Sequence, residues 1–235
     1  MRRLIPLILL LALTSAIPAD RFTTLSERAA RSFEWHEWNS AAAQYVQLLE
    51  MRADSARLYS RAIVAYELSG DTVAGSVLVE RAMAHGIGFA SLIADVRATS
   101  FSVGAGDTYA AFLLRMQREM PWMARAIDHQ LLDYYTFRRD GAMMVKYSQM
   151  MLDGLPSSVE YLSLLAEGYL LDGQGDLAVN TWKKIIGISP DDYSALLNLG
   201  IYCRLHGDSA TAAECLRRAY EVHPTPYVEV LLSQL

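Results

Sequence analysis

Pro156, Pro190 and Pro224 stand 34 residues apart, and around the last two a whole pattern of small and bulky apolar residues recurs at the same interval. Leu162, Leu165, Ala166, Tyr169, Gly173, Ala178 and Trp182 are answered by Leu196, Leu199, Gly200, Cys203, Gly207, Ala212 and Leu216. A fixed period of this length constrains the chain more than its composition does. Each unit is too small to bury its apolar face alone, so successive units stack into an array. Arrays of that kind present extended binding surfaces, which makes binding a better expectation than catalysis.

Within one period the spacing is helical. Leu162, Leu165, Ala166 and Tyr169 fall at i, i+3, i+4 and i+7, and Ala178, Trp182 and Ile185 follow the same rule in the second half. Asp172, Gly173, Gln174 and Gly175 break the helix between them, and Ser189, Pro190 and Asp191 close the unit. Each unit therefore reads as a helix hairpin. Small residues at Ala166, Ala178, Gly200 and Ala212 mark where two helices cross closely, with Trp182 and Leu216 as the large residues filling the remaining space.

On these residues the chain resembles the tetratricopeptide repeat family, whose 34-residue hairpin carries a W-x2-L-G-x2-Y, A-x3-F and P signature. The resemblance implies an all-α fold: a right-handed α-solenoid of antiparallel helix hairpins. The match is strongest over 193–226 and 159–192, the latter departing at Ile185, where a small residue is usual. Residues 125–158 keep Leu131, Tyr135, the turn at Asp140 and Gly141, and Pro156, but place Met144 at a small-residue position. Residues 91–124 keep Ala98, Phe101, Ala110 and Leu114 around a turn at Gly104 to Asp107, with Arg97 where Leu is expected and Pro121 one place early. One inserted residue near Ala90 then restores the register for 56–89 and 22–55, giving about six units over 20–235, followed by part of one more helix after Pro226.

The first 19 residues belong to a different regime. Arg2 and Arg3 precede an apolar run from Leu4 to Leu13, and small residues follow at Thr14, Ser15, Ala16 and Ala19, the three parts of a secretory signal peptide. The run contains Pro6 and is shorter than the roughly 20 residues needed to span a bilayer. No Cys stands where a lipid anchor requires one. The expectation is an exported protein, periplasmic or secreted and most plausibly bacterial, with no membrane span after cleavage.

The chain carries a net charge of −5. Phosphate backbones require clustered Lys and Arg, whereas the densest basic pairs here, Arg138 with Arg139 and Lys183 with Lys184, have acids nearby. Nucleic acid is therefore not an expected partner. Cys203 and Cys215 lie on the two helices of one hairpin; a disulfide and a pair of small buried apolar residues are both open readings.

Little in the sequence points to chemistry. His36 and Glu37 begin like the helical zinc-protease motif, but Ser40 stands where its second His must be. The other histidines show no metal-ligand spacing, and no Gly-rich phosphate loop occurs. Asp133, Glu160 and Glu167 are the candidates for a general acid and base pair, yet no nucleophile accompanies them. The expectation is a chain without enzymatic activity, cofactor, metal or small-molecule substrate.

The resemblance further implies that ligands lie along residues two, five, six, nine and twelve of each unit. These are Glu160, Ser163, Leu164, Glu167 and Leu170 in one unit, and Ser194, Leu197, Asn198, Ile201 and Arg204 in the next. Asn198 matches a position used by relatives that clamp a peptide carboxylate, but Ser163 and Glu167 replace the Lys and Asn of that clamp. Arg204 is the expected anion contact. The function expected is an interaction scaffold that holds a peptide or helix of a partner protein. An alternative is docking or self-association through Met116, Met120, Trp122 and Met123.

Overall fold

The computed structural model describes residues 19–235; the expected signal peptide lies outside them, apart from its last residue. Every regular element is helical: α1 (Ala19–Glu34), α2 (Trp38–Met51), α3 (Ala56–Ser69), α4 (Thr72–Ala84), α5 (Phe89–Ser102), α6 (Gly106–Glu119), α7 (Ala124–Arg138), α8 (Gly141–Gly154), α9 (Val159–Leu171), α10 (Gly175–Ile188), α11 (Tyr193–Leu205), α12 (Ser209–Val222) and α13 (Pro226–Ser233). One 3-10 turn, Pro121–Met123, precedes α7. No described helix is long and apolar enough to cross a membrane. The helices form two compact units, one ending at Phe112 and the other running from Leu113 to Leu235, so the division falls within α6.

In the first unit α1 packs on α2 and α3 on α4, and α3 also contacts α2 and α5. The Phe101 ring meets the Tyr109 ring edge-on at 6.2 Å, joining α5 to the start of α6. In the second unit α7 packs on α8, α9 on α10 and α11 on α12, while α8 contacts α9, α10 contacts α11, and α13 covers α12. Pro156, Pro190 and Pro224 all lie in the links between hairpins, where a residue without an N–H costs no helical hydrogen bond. Asp140, Ser158, Asp192 and Asp208 cap the helices that follow them by accepting a backbone N–H three residues on.

The turn inside each hairpin follows one rule. His36, Gly70, Gly104, Arg139, Gly173 and Gly207 all have a positive φ, and they recur at intervals of 34, 34, 35, 34 and 34 residues. The amide that follows the left-handed residue bonds back five positions, as Gln174 N to Tyr169 O at 2.8 Å and Asp140 N to Tyr135 O at 3.0 Å. Gly86, which follows α4, is the other left-handed residue among those described.

This spacing corrects the sequence register. The extra residue lies between Gly104 and Arg139, in the stretch that holds the 3-10 turn, and not near Ala90. The third unit is accordingly read one residue late in the sequence. Ala98, a signature position in the sequence register, is exposed, while Ile93, Val96, Ser100, Tyr109 and Leu113 are among the buried residues. Met144 at a small-residue position is accommodated by the neighbouring helix. It is fully buried, and the residue facing it on α9 is Gly168, whose absent side chain leaves the room.

Candidate functional site

The inner face of α9 buries Tyr161, Leu162, Leu165, Ala166 and Gly168, and α11 buries Ala195, Leu196, Leu199, Gly200 and Cys203. Helical geometry then turns Ser163, Glu167 and Leu170 on one helix, and Ser194 and Asn198 on the other, toward a common space. These five line a single cleft of about 330 Å³, together with Leu164, Leu171, Ala195, Trp182 and Arg139.

The floor of the cleft is apolar. Trp182 is 4% exposed and packs in the cluster of Leu162, Ala166 and Ala178, while Leu170 stands 46% exposed at the edge. The rim is polar. Ser163 Oγ donates to Val159 O at 2.8 Å, which leaves its lone pairs for an incoming N–H. The Glu167 carboxylate lies 3.6 Å from the Arg139 guanidinium. Both are partly exposed, so water screens the pair and it adds little to stability. Its effect is to set one positive and one negative group at the same rim.

Four of the expected residues, Glu160, Leu197, Ile201 and Arg204, stand apart from the cleft. Glu160 is exposed on the first turn of α9 and does not line it. Ile201 packs with Leu197 against the cluster that α13 forms through Val228 and Leu231. Arg204, expected as the anion contact, donates from Nη1 to Gln234 Oε1 at 3.1 Å, while its buried Nε has no protein partner. The C-terminal segment therefore occupies the surface that α11 was expected to offer at these two positions.

Asp133, Glu160 and Glu167 do not converge. Asp133 lies 3.7 Å from His129 Nδ1 one helical turn away, and only Glu167 borders the cleft. Met116 and Met120 are buried, so neither contributes to a lateral surface, and Trp122 on the 3-10 turn is the exposed member of that group at 69%. Cys203 and Cys215 are buried free thiols in one cluster. Burial pushes both thiols above their ordinary range. Among the described residues no group of three or more His, Cys, Asp or Glu side chains is placed to hold a metal ion.

Arg139 is the charged cleft residue that the repeat pattern missed. It occupies the left-handed turn position that most hairpins give to Gly, at a cost on the order of 1 kcal/mol for a residue with a side chain. A non-Gly residue at that recurring position was the available signal.

No family model matches the chain, and no curated protein matches it significantly. Solved structures do. The C-terminal part of a TPR repeat-containing protein from Cytophaga hutchinsonii aligns at 12% identity over 83% of this chain and 78% of that one, with a TM-score of 0.51. The human IFIT1 dimer with m7Gppp-AAAA aligns at 12% identity over 88% of this chain and 52% of that one, with a TM-score of 0.50. At such identity the likeness is one of backbone architecture, and it agrees with the hairpin packing and recurring turns: the fold is an all-α, TPR-like solenoid.

Proposed function

We propose that this protein is a non-enzymatic interaction scaffold that holds an extended peptide segment of a partner protein in the cleft between α9 and α11. The observation that carries this reading is the joint lining of one cleft by Ser163, Glu167, Leu170, Ser194 and Asn198, over an apolar floor containing Trp182. An extended peptide has the matching chemistry. Its apolar side chains fit against Leu164, Leu170 and Trp182, while the Asn198 amide both donates to and accepts from its backbone.

The IFIT1 structure carries a capped RNA, but a net charge of −5 and the rim carboxylate of Glu167 favour a polypeptide over a phosphate backbone here. Export is part of the same proposal and rests on Arg2, Arg3 and the apolar run from Leu4 to Leu13. Intact mass of the protein recovered from cells checks it, since a retained N-terminus counts against cleavage.

Crosslinking in native cells, followed by mass spectrometry of captured proteins, tests the cleft. Glu167→Lys and Asn198→Ala should each change which partners are recovered while leaving the melting temperature unaltered. Recovery that is the same after both substitutions overturns the reading. Trp122 supports a second, weaker reading as a lateral contact, and light scattering of Trp122→Ser across a concentration series distinguishes self-association from a monomer.

A further inference from the structure

The first unit contains a cleft of its own, about 620 Å³, bordered by α1, α3 and α5. Its centre is α3, where Arg57 and Arg61 stand one helical turn apart on one face. An adjoining recess of about 410 Å³ shares Ala30 and both arginines. The walls carry Glu34 on α1 and Asp95 on α5. They are low at Ala30 and Ala98, the residue that the corrected register moves out of the core.

Arg61 is held in place from below. Its Nη1 donates to the hydroxyl of buried Tyr45 at 2.8 Å, and the guanidinium lies 5.7 Å and 5.9 Å from the ring centroids of Tyr45 and Phe33. Most of its fork of donors is thus oriented but uncommitted. Next to it Thr99 Oγ1 donates to Ser60 Oγ at 3.3 Å, a polar contact in the floor around a fully buried serine. Arg57, Glu34 and Asp95 line the cleft without an ion pair to one another. Two like charges one turn apart cost the helix stability, and an arginine immobilised by a buried tyrosine has already lost side-chain entropy. Both features favour an anionic group from outside. The acids on either wall equally oppose a polyanion, as does the net charge of −5.

We propose that this cleft binds a mixed-charge peptide segment of a partner protein, with an acidic side chain between Arg57 and Arg61 and a basic side chain facing Glu34 or Asp95. The site is separate from the α9–α11 cleft and does not depend on it. Its occupant is recognised by charge order: a carboxylate takes the arginine fork, and a neighbouring cation completes the pattern across the cleft.

A random-peptide library displayed on phage and selected on the immobilised full-length protein tests this. The expected outcome is enrichment of peptides in which an acidic residue neighbours a basic one. Affinity of a synthesised enriched peptide should then fall at least about tenfold in Arg57→Glu, a change at an exposed side chain. Tyr45→Phe, which keeps the ring but releases Arg61, should weaken it as well. Selection on Asp95→Lys should exchange the basic residue for an acidic one. Glu167→Lys, in the other unit, should have no effect. Absence of enrichment, enrichment without the charge pattern, or affinity indifferent to Arg57→Glu overturns the proposal. Peptides that respond to Glu167→Lys and not to Arg57→Glu support the α9–α11 cleft and reject this one.

Discussion

Gly141 on α8 and Gly168 on α9 bring their two helices to backbone contact. A Cβ built at residue 141 falls 2.8 Å from the Gly168 carbonyl oxygen and 2.7 Å from the Asp172 amide nitrogen. One built at residue 168 falls 3.0 Å from both Met144 Cβ and Val145 N. Helix propensity alone favours alanine at both places by about 1 kcal/mol, so packing decides the residue.

Gly141→Ala is expected to destabilise the protein by about 1 to 2 kcal/mol despite that propensity, because the obstructing atoms are backbone and cannot rotate away. Gly168→Ala should cost less, its contacts being longer. Urea unfolding of the two variants reads the difference, and a Gly141→Ala protein as stable as its parent refutes the close crossing.

The hairpin of α11 and α12 carries a second packing prediction. Ala212 is fully buried, and enlarging it to Leu should cost roughly 1 to 3 kcal/mol through overpacking. The thiols in the same hairpin supply an independent check. Ellman titration of the unreduced protein should count both Cys203 and Cys215 after denaturation and neither in the native state.

Asp128 predicts a pH effect of definite sign. Its side chain is buried on α7, which pushes its carboxyl up, while a hydrogen bond from Gln117 and the charge of Lys146 pull it down by less. With a folded value above the ordinary 3.8, the neutral form is favoured on folding. The resulting stability is fully present below the unfolded value and is lost as pH rises through the folded one. Asp128→Asn should therefore shift the melting temperature more favourably at pH 7 than at pH 4. An equal shift at both values would rule out a raised carboxyl.

Tyr147, close by on α8, should report alkaline conditions. Burial, reinforced by Tyr135 and Asp128, raises its phenol to about 12. Its ionisation, followed by ultraviolet absorbance, should appear well after that of exposed tyrosines, and Tyr147→Phe should remove that late step.

Much of this was legible in the sequence because helix faces and turn residues repeat together. The pairing of Ser163 and Glu167 with Ser194 and Asn198 followed from register alone. The third unit was misread because Phe89, Leu92, Ile93, Val96, Ala98 and Phe101 offer apolar faces in two registers one residue apart. Only the backbone of Gly104 separates them. Arg204 stands apart from the cleft for another reason: its partner Gln234 lies just past α13, where no repeat position specifies a contact. Nothing in the sequence distinguishes Arg57 and Arg61 from solvated surface, because the cleft around them is made by α1 and α5, distant in the chain.

Arg139 sets two requirements against each other at one position. Glycine would relax its left-handed turn, as it does at Gly173 one period later, yet would also strip the one cation that the described residues place at the rim of the α9–α11 cleft. A more robust hairpin and a more discriminating mouth are therefore mutually exclusive improvements here. Laboratory selection for heat resistance should drift toward glycine at this residue, and selection for partner retention should hold the arginine.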